Sequence, residues 1–476
     1  MSKLTVGRRS ILKAGAASLF LAGMPTSGFA KGKPPGSISV IILEGGMDGL
    51  ATIPPIGDPD LMRMRKSISP EGYLPLNDFF GLHPSLKFYA QLMARGHASA
   101  VHATAFPYTK RSHFEGQNII QGGGLSPFSE KTGWLGRALE LADVAGRSLS
   151  LDMPLILRGH HENDNFYPAS IRGSSRPKAN LVNMIAMGHQ MDAAQIFTKV
   201  AYKSKENVQV PRDPASLAKY AGQAMGQADG PVASIIRVEN FDTHANQVNK
   251  QRGLHENLAS GIKNFYEDLA SAGYDDKVLG MTISEFGRRP YENGSNGTDH
   301  GSASPTFLFG AGLNGSGFVG AHPDINPSAW DNNDNLVPST DFRDVYASVL
   351  TDWFCIDPSV VNTILLNDNY QTLNLGLNCQ GLTIPDFSNI SHFSHVATYR
   401  DNRTFIEINM QNTGHVELKL FNILGQEVAT LGNEILHQGK HRIDVKARAN
   451  TRLGYGQYIY RINTQGQFYS RSILIK

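Results

Sequence analysis

The sequence predicts an α/β fold, a mostly parallel sheet flanked by helices, with a small immunoglobulin-like β-sandwich after it. Three observations carry this. Ser37-Ile38-Ser39-Val40-Ile41-Ile42-Leu43 is an unbroken β-branched run, as expected for a strand covered on both faces. Comparable runs recur down the chain with helical patterns between them, which is the signature of a parallel sheet. After about residue 381 the pattern changes to short segments alternating apolar and polar residues.

In chain order, residues 1–30 read as a targeting segment. Arg8 and Arg9 are followed by a short apolar stretch from Ala14 to Met24 and by small residues up to Ala30. The apolar stretch falls well short of the roughly 20 residues that a membrane span needs. The arginine pair marks the twin-arginine route, so the twin-arginine translocase is an expected partner and the mature chain is expected outside the cytoplasm. Residues 31–380 are expected to form the α/β domain. Its strands are 37–43, 98–103, 232–238, 277–284 and 306–309, and helices are predicted around 84–95, 131–144 and 254–272. Residues 381–394 read as a linker and 395–476 as the sandwich, with strands at 405–410, 416–421, 441–445, 457–462 and 468–475.

The formal charge is +2. Residues 1–30 carry four basic and no acidic side chains, and residues 395–476 carry 11 Lys/Arg against 6 Asp/Glu. Residues 31–394 are therefore net acidic, which argues against nucleic acid as the main partner. The two cysteines, Cys355 and Cys379, are compatible with a disulfide in an exported protein and equally with two buried thiols. No thiolate-activating pattern surrounds either one.

Polar clusters fall at the carboxyl ends of the expected strands, where ligands of parallel sheets gather. Glu44 and Asp48 follow the first strand. Arg111, Ser112 and His113 precede a helical pattern, a place that suits a serine nucleophile attacking a phosphate or sulfate ester beside helix N–H groups. Ser112 also fits a plain N-cap completing a Ser-x-x-Glu capping box with Glu115. Asp242 and His244 follow another strand and are ordinary metal-ligand types. Glu285 ends the next strand. Asp299 and His300 lie in a glycine- and asparagine-rich loop, where an Asp-His pair has little structural reason to exist, so metal binding or acid/base work is expected of it. These residues supply donors for one or two divalent cations (Zn, Mn, Ca or Mg). Two such ions ~4 Å apart can activate a serine and steady the transferred group. Arg111, Arg288 or Arg289 are the expected clamps for anionic oxygens.

Residues 37 to about 375 resemble a bacterial family labelled domain of unknown function 1501. The resemblance rests on Glu44-Gly45-Gly46-Met47-Asp48, Gly81-Leu82-His83-Pro84, Arg111-Ser112-His113-Phe114, Thr132-Gly133-Trp134-Leu135-Gly136-Arg137, Asp242-Thr243-His244-Ala245-Asn246-Gln247, Ser284-Glu285-Phe286-Gly287-Arg288, Gly297-Thr298-Asp299-His300-Gly301 and Thr340-Asp341-Phe342-Arg343. The family looks like a branch of the alkaline phosphatase/sulfatase superfamily. The resemblance implies Ser112 as nucleophile, Asp48 or Glu44 as first-strand metal ligand, Asp242 with His244 as a ligand pair at shortened spacing, and His300 with Asp299 beside it as the last ligand. Glu285-Phe286 stands where the superfamily has Asp-His, so one imidazole is missing at that position. There is no Cys-x-Pro-x-Arg signature, which argues against a formylglycine sulfatase.

The tail resembles a type A C-terminal sorting domain of the type IX secretion system, through Leu420-Phe421-Asn422-Ile423-Leu424-Gly425-Gln426-Glu427-Val428, Gly456-Gln457-Tyr458-Ile459-Tyr460-Arg461 and Ser472-Ile473-Leu474-Ile475-Lys476. It implies the type IX machinery as a partner and the outer surface or the medium as destination. The expected function is a metal-dependent hydrolase of phosphate or sulfate esters acting on an anionic ester or glycan. The alternatives are a catalytically inactive surface protein that binds a glycan or protein partner on the same fold, and phosphotransfer chemistry on that scaffold.

Overall fold

The computed structural model describes residues 36–165 and 213–382, apart from 70, 71, 109, 125, 151, 161, 162, 316, 367 and 368. It also describes residues 393–475, apart from 401, 402, 411, 412, 423–425, 465 and 466. The expected targeting segment and most of the expected linker lie outside the described residues. The described residues fall into two compact units, one ending at 382 and the other beginning at 393.

In the first unit the sheet is mixed but mostly parallel. Strand β1 (Ser37–Leu43) is central, paired in parallel with β7 (Ala233–Val238) on one side and β8 (Val278–Ile283) on the other. Every residue of β1 is buried, which explains its apolar run on both faces. A two-stranded hairpin, β2 (Leu74–Pro75) with β3 (Gly81–Leu82), stands apart. The large sheet continues outward through β5 (Gly146–Ser148) and β6 (Asp164–Asn165) beyond β7, and through β9 (Ser304–Phe309), β4 (Ala98–Ala105) and β10 (Gly317–Val319) beyond β8. A short strand, β11 (Thr340–Asp341), also pairs with β4. The expected strand at 306–309 runs against the rest: β9 is antiparallel to both β4 and β8.

The helices are α1 (Lys87–Ala94), α2 (His113–Gly122), α3 (Trp134–Ala142), α4 (Pro214–Met225), α5 (Gln247–Ala272), α6 (Phe342–Ser348) and α7 (Pro358–Leu365), beside shorter turns. Helix α5 begins at Gln247, seven residues before the expected start. Its first two turns bury Gln247, Gln251 and His255, a polar stripe at helical spacing that carries no apolar signal. The Cys355 and Cys379 sulfurs form a disulfide with Cα atoms 5.5 Å apart. No helix among the described residues is long and apolar enough to cross a membrane.

In the second unit, a three-stranded antiparallel sheet of β12 (Phe393–Arg400), β13 (Arg403–Met410) and β16 (Gly439–Asp444) faces a four-stranded one. The latter holds β14 (Gly414–Asn422), β15 (Glu427–Leu436), β17 (Gly456–Thr464) and β18 (Gln467–Ile475). Ile406 and Ile408 from one sheet share a core with Leu418, Leu420, Tyr460 and Ile462 from the other. This is a β-sandwich, with strict in-out alternation along β14. Two of its strands were not expected. The alternation in β15 is broken by two register shifts against β14, which hide its period.

Candidate metal centre

The loops after β7, β8 and the 293–301 segment, together with the start of α2, bring four side chains to one place. His300 Nε2 lies 3.1 Å from His113 Nε2, 3.0 Å from His244 Nε2 and 3.0 Å from Asp242 Oδ1. Asp242 bridges the group: His244 Nε2 is 3.0 Å from Oδ1 and His113 Nε2 is 3.5 Å from Oδ2. His113, Asp242 and His300 offer ligand atoms that all lie within 4.8 Å of one another. The cluster is open to solvent, with Asp242 41% exposed and His300 23%.

Each imidazole is turned by a hydrogen-bond acceptor behind it. His113 Nδ1 lies 2.7 Å from the buried Glu285 carboxylate. His244 Nδ1 lies 3.1 Å from Asp299 Oδ1. His300 Nδ1 lies 3.1 Å from the Arg111 carbonyl. These partners can only accept, so they assign the proton of each neutral ring to Nδ1. All three Nε2 lone pairs then point at each other and at a carboxylate, with no proton to share. Such a group is repulsive unless a metal ion, or a proton taken up by one of the rings, sits in it. Donors at the usual 2.0–2.2 Å from a common ion stand about 3 Å apart, as His300 Nε2 does from His113, His244 and Asp242. Imidazole backed by a carboxylate or a carbonyl is also the usual outer arrangement of metal-binding histidine. The residues therefore fit a divalent cation.

The charges agree. Burial pushes the Asp242 carboxyl up, but the Arg288 hydrogen bond and charge, with His300 and His244, outweigh it and bring it down to about 2. The Glu285 hydrogen bond raises His113 above the ordinary imidazole value, against the opposing effect of burial. Burial lowers His300, helped by the nearby Arg288 charge.

Other expected residues have different places. Asp48 is not in the cluster. Its oxygens accept from Ala51 N–H at 3.2 Å, Arg65 Nη1 at 2.7 Å and Gln247 Nε2 at 2.7 Å, all in the interior. Glu44 turns away to Arg237, whose Nε is 2.5 Å from Oε1. Both acids are already paired with arginines, Arg65 and Arg237, which lie outside every motif. Glu285 stands behind His113, not among the converging atoms. Its Oε1 also accepts Gly45 N–H at 2.7 Å and its Oε2 accepts Gln117 Nε2 at 2.8 Å. Asp299 likewise stands behind His244.

Arg288 differs from its expected role as a clamp. Its side chain is fully buried and donates to the carbonyls of Gly46 at 2.9 Å, Thr298 at 3.0 Å and Phe241 at 3.1 Å, besides Gly45 O and Asp242 Oδ1. It ties three loops together and holds Asp242, with nothing left to reach a substrate. Arg111 has a left-handed backbone (φ 55°), and its Nη1 donates to His300 O and Asn335 Oδ1, each at 3.0 Å. Ser112 is the N-cap residue of α2, half-buried, in an extended conformation. Its side chain makes no capping bond, and Glu115 pairs with Tyr108 Oη instead. The capping box is absent.

Two glycines make room. Gly45 (φ +115°) approaches Phe241-Asp242 so closely that a Cβ would sit 2.3 Å from Asp242 N. At Gly116 a Cβ would lie 3.1 Å from Glu285 Cβ, so its absence lets α2 lie against that residue.

Residues 203–352 match the family described as protein of unknown function (DUF1501). That stretch contains Asp242, His244, Glu285, Asp299 and His300. No curated protein matches the chain. Among solved structures, the chain is similar to a Bacteroides thetaiotaomicron protein of glycosaminoglycan metabolism, at 8% identity over 89% of this chain and 92% of that one, with a TM-score of 0.37. It is also similar to a protein in the alkaline phosphatase superfamily from Vibrio parahaemolyticus (11%, 86% and 85%, TM-score 0.31). A third likeness is to the C-terminal periplasmic domain of EcEptC from Escherichia coli, solved with Zn (11%, 59% and 76%, TM-score 0.31).

Proposed function

We propose that this chain is an exported, metal-dependent hydrolase of phosphate or sulfate esters in the domain of unknown function 1501 family, with Ser112 as nucleophile. One observation carries the reading: three imidazole Nε2 atoms and the Asp242 carboxylate converge, each ring with an acceptor behind its Nδ1, one residue from a serine at a helix start.

His113, Asp242 and His300 would hold the ion, with His244 beside His300 and Asp242. A bound divalent cation supplies a Lewis acid for the ester oxygens and for the serine oxygen. The rest is done by the chain. Ser112 presents a hydroxyl that is not spent on capping, beside the N–H groups opening the ten-residue helix α2, where an anionic group is favoured. Glu285 and Asp299 fix the imidazoles with Nε2 inward. Arg288 holds the Asp242 carboxylate ionised. Arg111 borders the site and is the candidate clamp for an anionic oxygen. We assign export to residues 1–30 and passage towards the cell surface to the sandwich, from their sequence patterns.

Ser112→Ala is predicted to abolish turnover of aryl phosphate and aryl sulfate while the melting temperature and metal content stay unchanged. Unchanged turnover in that variant refutes the nucleophile. The second reading, an inactive protein binding a glycan or partner, has one observation in its favour: Arg288 already gives Asp242 a cation. Protein that takes up no Zn, Mn, Ca or Mg, and hydrolyses no ester, would establish that reading instead.

A further inference from the structure

Helix α2 carries a feature that neither the core nor the metal centre uses. Phe114, the residue after His113, is 84% exposed. Phe128 is 54% exposed and has φ 58°, a backbone conformation that a bulky side chain rarely adopts. Turn geometry alone would favour Gly or Asn there, and packing would favour burial, so neither accounts for a phenylalanine. The loop that holds Phe128 is tied to the helix that carries Phe114. Phe128 N–H donates to Asn118 Oδ1 at 2.5 Å, and Asn118 lies one helical turn from Phe114, on the same face. One exposed phenyl ring thus stands on the helix whose first residue enters the metal centre, and a second on the loop tied to that helix.

We propose that Phe114 and Phe128 are a stacking platform for a sugar ring, so that the substrates are anionic esters of sugars. This rests on the ester reading of the neighbouring site. The apolar C–H face of a sugar covers a phenyl ring, while its hydroxyl edge needs polar neighbours. Lys110, Ser126, Ser129 and Lys131, within four residues of one or other phenylalanine in sequence, are all exposed and supply them. An acyl chain would have no use for that polar surround. The lysines also suit further anionic groups along a glycan.

The test uses Phe114→Ser, Phe128→Gly and the double variant. Glycine relieves the left-handed backbone, so Phe128→Gly should melt no lower than the parent. The probes are the 6-sulfates and 6-phosphates of glucose, galactose and N-acetylglucosamine, with ethyl sulfate, ethyl phosphate and octyl sulfate as comparisons. Turnover is measured together with calorimetric binding. The double variant is expected to lose about tenfold in kcat/KM on the sugar esters, through KM, and about tenfold in affinity, with ethyl esters unaffected. A wild type that treats sugar and ethyl esters alike, or sugar-ester binding unchanged in the double variant, overturns the platform. Phenylalanine-dependent binding of octyl sulfate but not of sugar esters overturns it in favour of an acyl chain. Phenylalanine-dependent sugar binding with no turnover of any ester keeps the platform and refutes the hydrolase.

Discussion

His300 shows how much of the site depends on what stands behind each ligand. Its Nε2 is within 3.1 Å of two other imidazole nitrogens and a carboxylate oxygen. Every Nδ1 faces an acceptor on the far side of its ring, so the crowded Nε2 atoms of the neutral rings have no proton to share and suit a cation. Glu285 is the most consequential of these holders, being buried and sharing its oxygens among His113, Gly45 N–H and Gln117. Glu285→Gln can present an amide N–H to His113 Nδ1, which favours the other tautomer and puts a proton on Nε2. Its metal affinity is predicted to fall about 10- to 100-fold while the fold survives, as read by metal titration beside a thermal melt. An unchanged affinity would leave Glu285 with a packing role alone.

At the scale of elements, the site is made by loops that glycine lets cross. The turn after β1 passes Phe241-Asp242 at Gly45 with no room for a Cβ. Gly45→Ala is predicted to cost about 2 kcal/mol or more, through the φ of +115° and the overlap with Asp242 N. It should weaken metal binding as well, because Asp242 must move; urea unfolding and metal titration of one variant check both. The central strands were legible in the sequence because burial on both faces writes itself as an apolar run in β1, β7 and β8. The start of α5 was not legible, because Gln247, Gln251 and His255 bury hydrogen-bonding groups where a pattern search looks for apolar ones. The direction of β9 was hidden for a different reason: a buried strand reads alike in either direction. Within the site, the sequence marked Asp242, His244 and His300 by residue type. It also marked Glu44 and Asp48, because nothing local announces that Arg237 and Arg65, far along the chain or outside any motif, neutralise them. The same blindness made Arg288 look like a substrate clamp, when five carbonyl and carboxylate contacts consume it.

Across the whole molecule, buried neutral histidines should govern acid stability. Burial lowers His102 to about 3, and His83 and His322 to about 4; His255 is held well below the ordinary value, also by burial. Unfolded, each would take a proton near pH 6.5. Between pH 6.5 and about 4 the unfolded chain therefore binds more protons than the folded one, so stability must fall as the pH is lowered through that window. The fall should become shallower below about 4, where His83 and His322 also protonate in the fold while His102 and His255 are still neutral. Urea midpoints at pH 7, 6, 5 and 4 check this, and a His102→Phe variant should show a shallower fall. Metal binding acts on the same global scale, since an ion held only by the folded chain raises its stability by mass action. Elemental analysis of gently purified mature protein, set against Asp242→Asn prepared in parallel, tests the central claim most directly. The expected result is about one equivalent or more of a divalent metal in the parent and a large loss in the variant, with a matching drop in melting temperature that chelation of the parent reproduces. Equal metal content in the two proteins, or a parent that neither holds nor takes up any divalent metal, would contradict it.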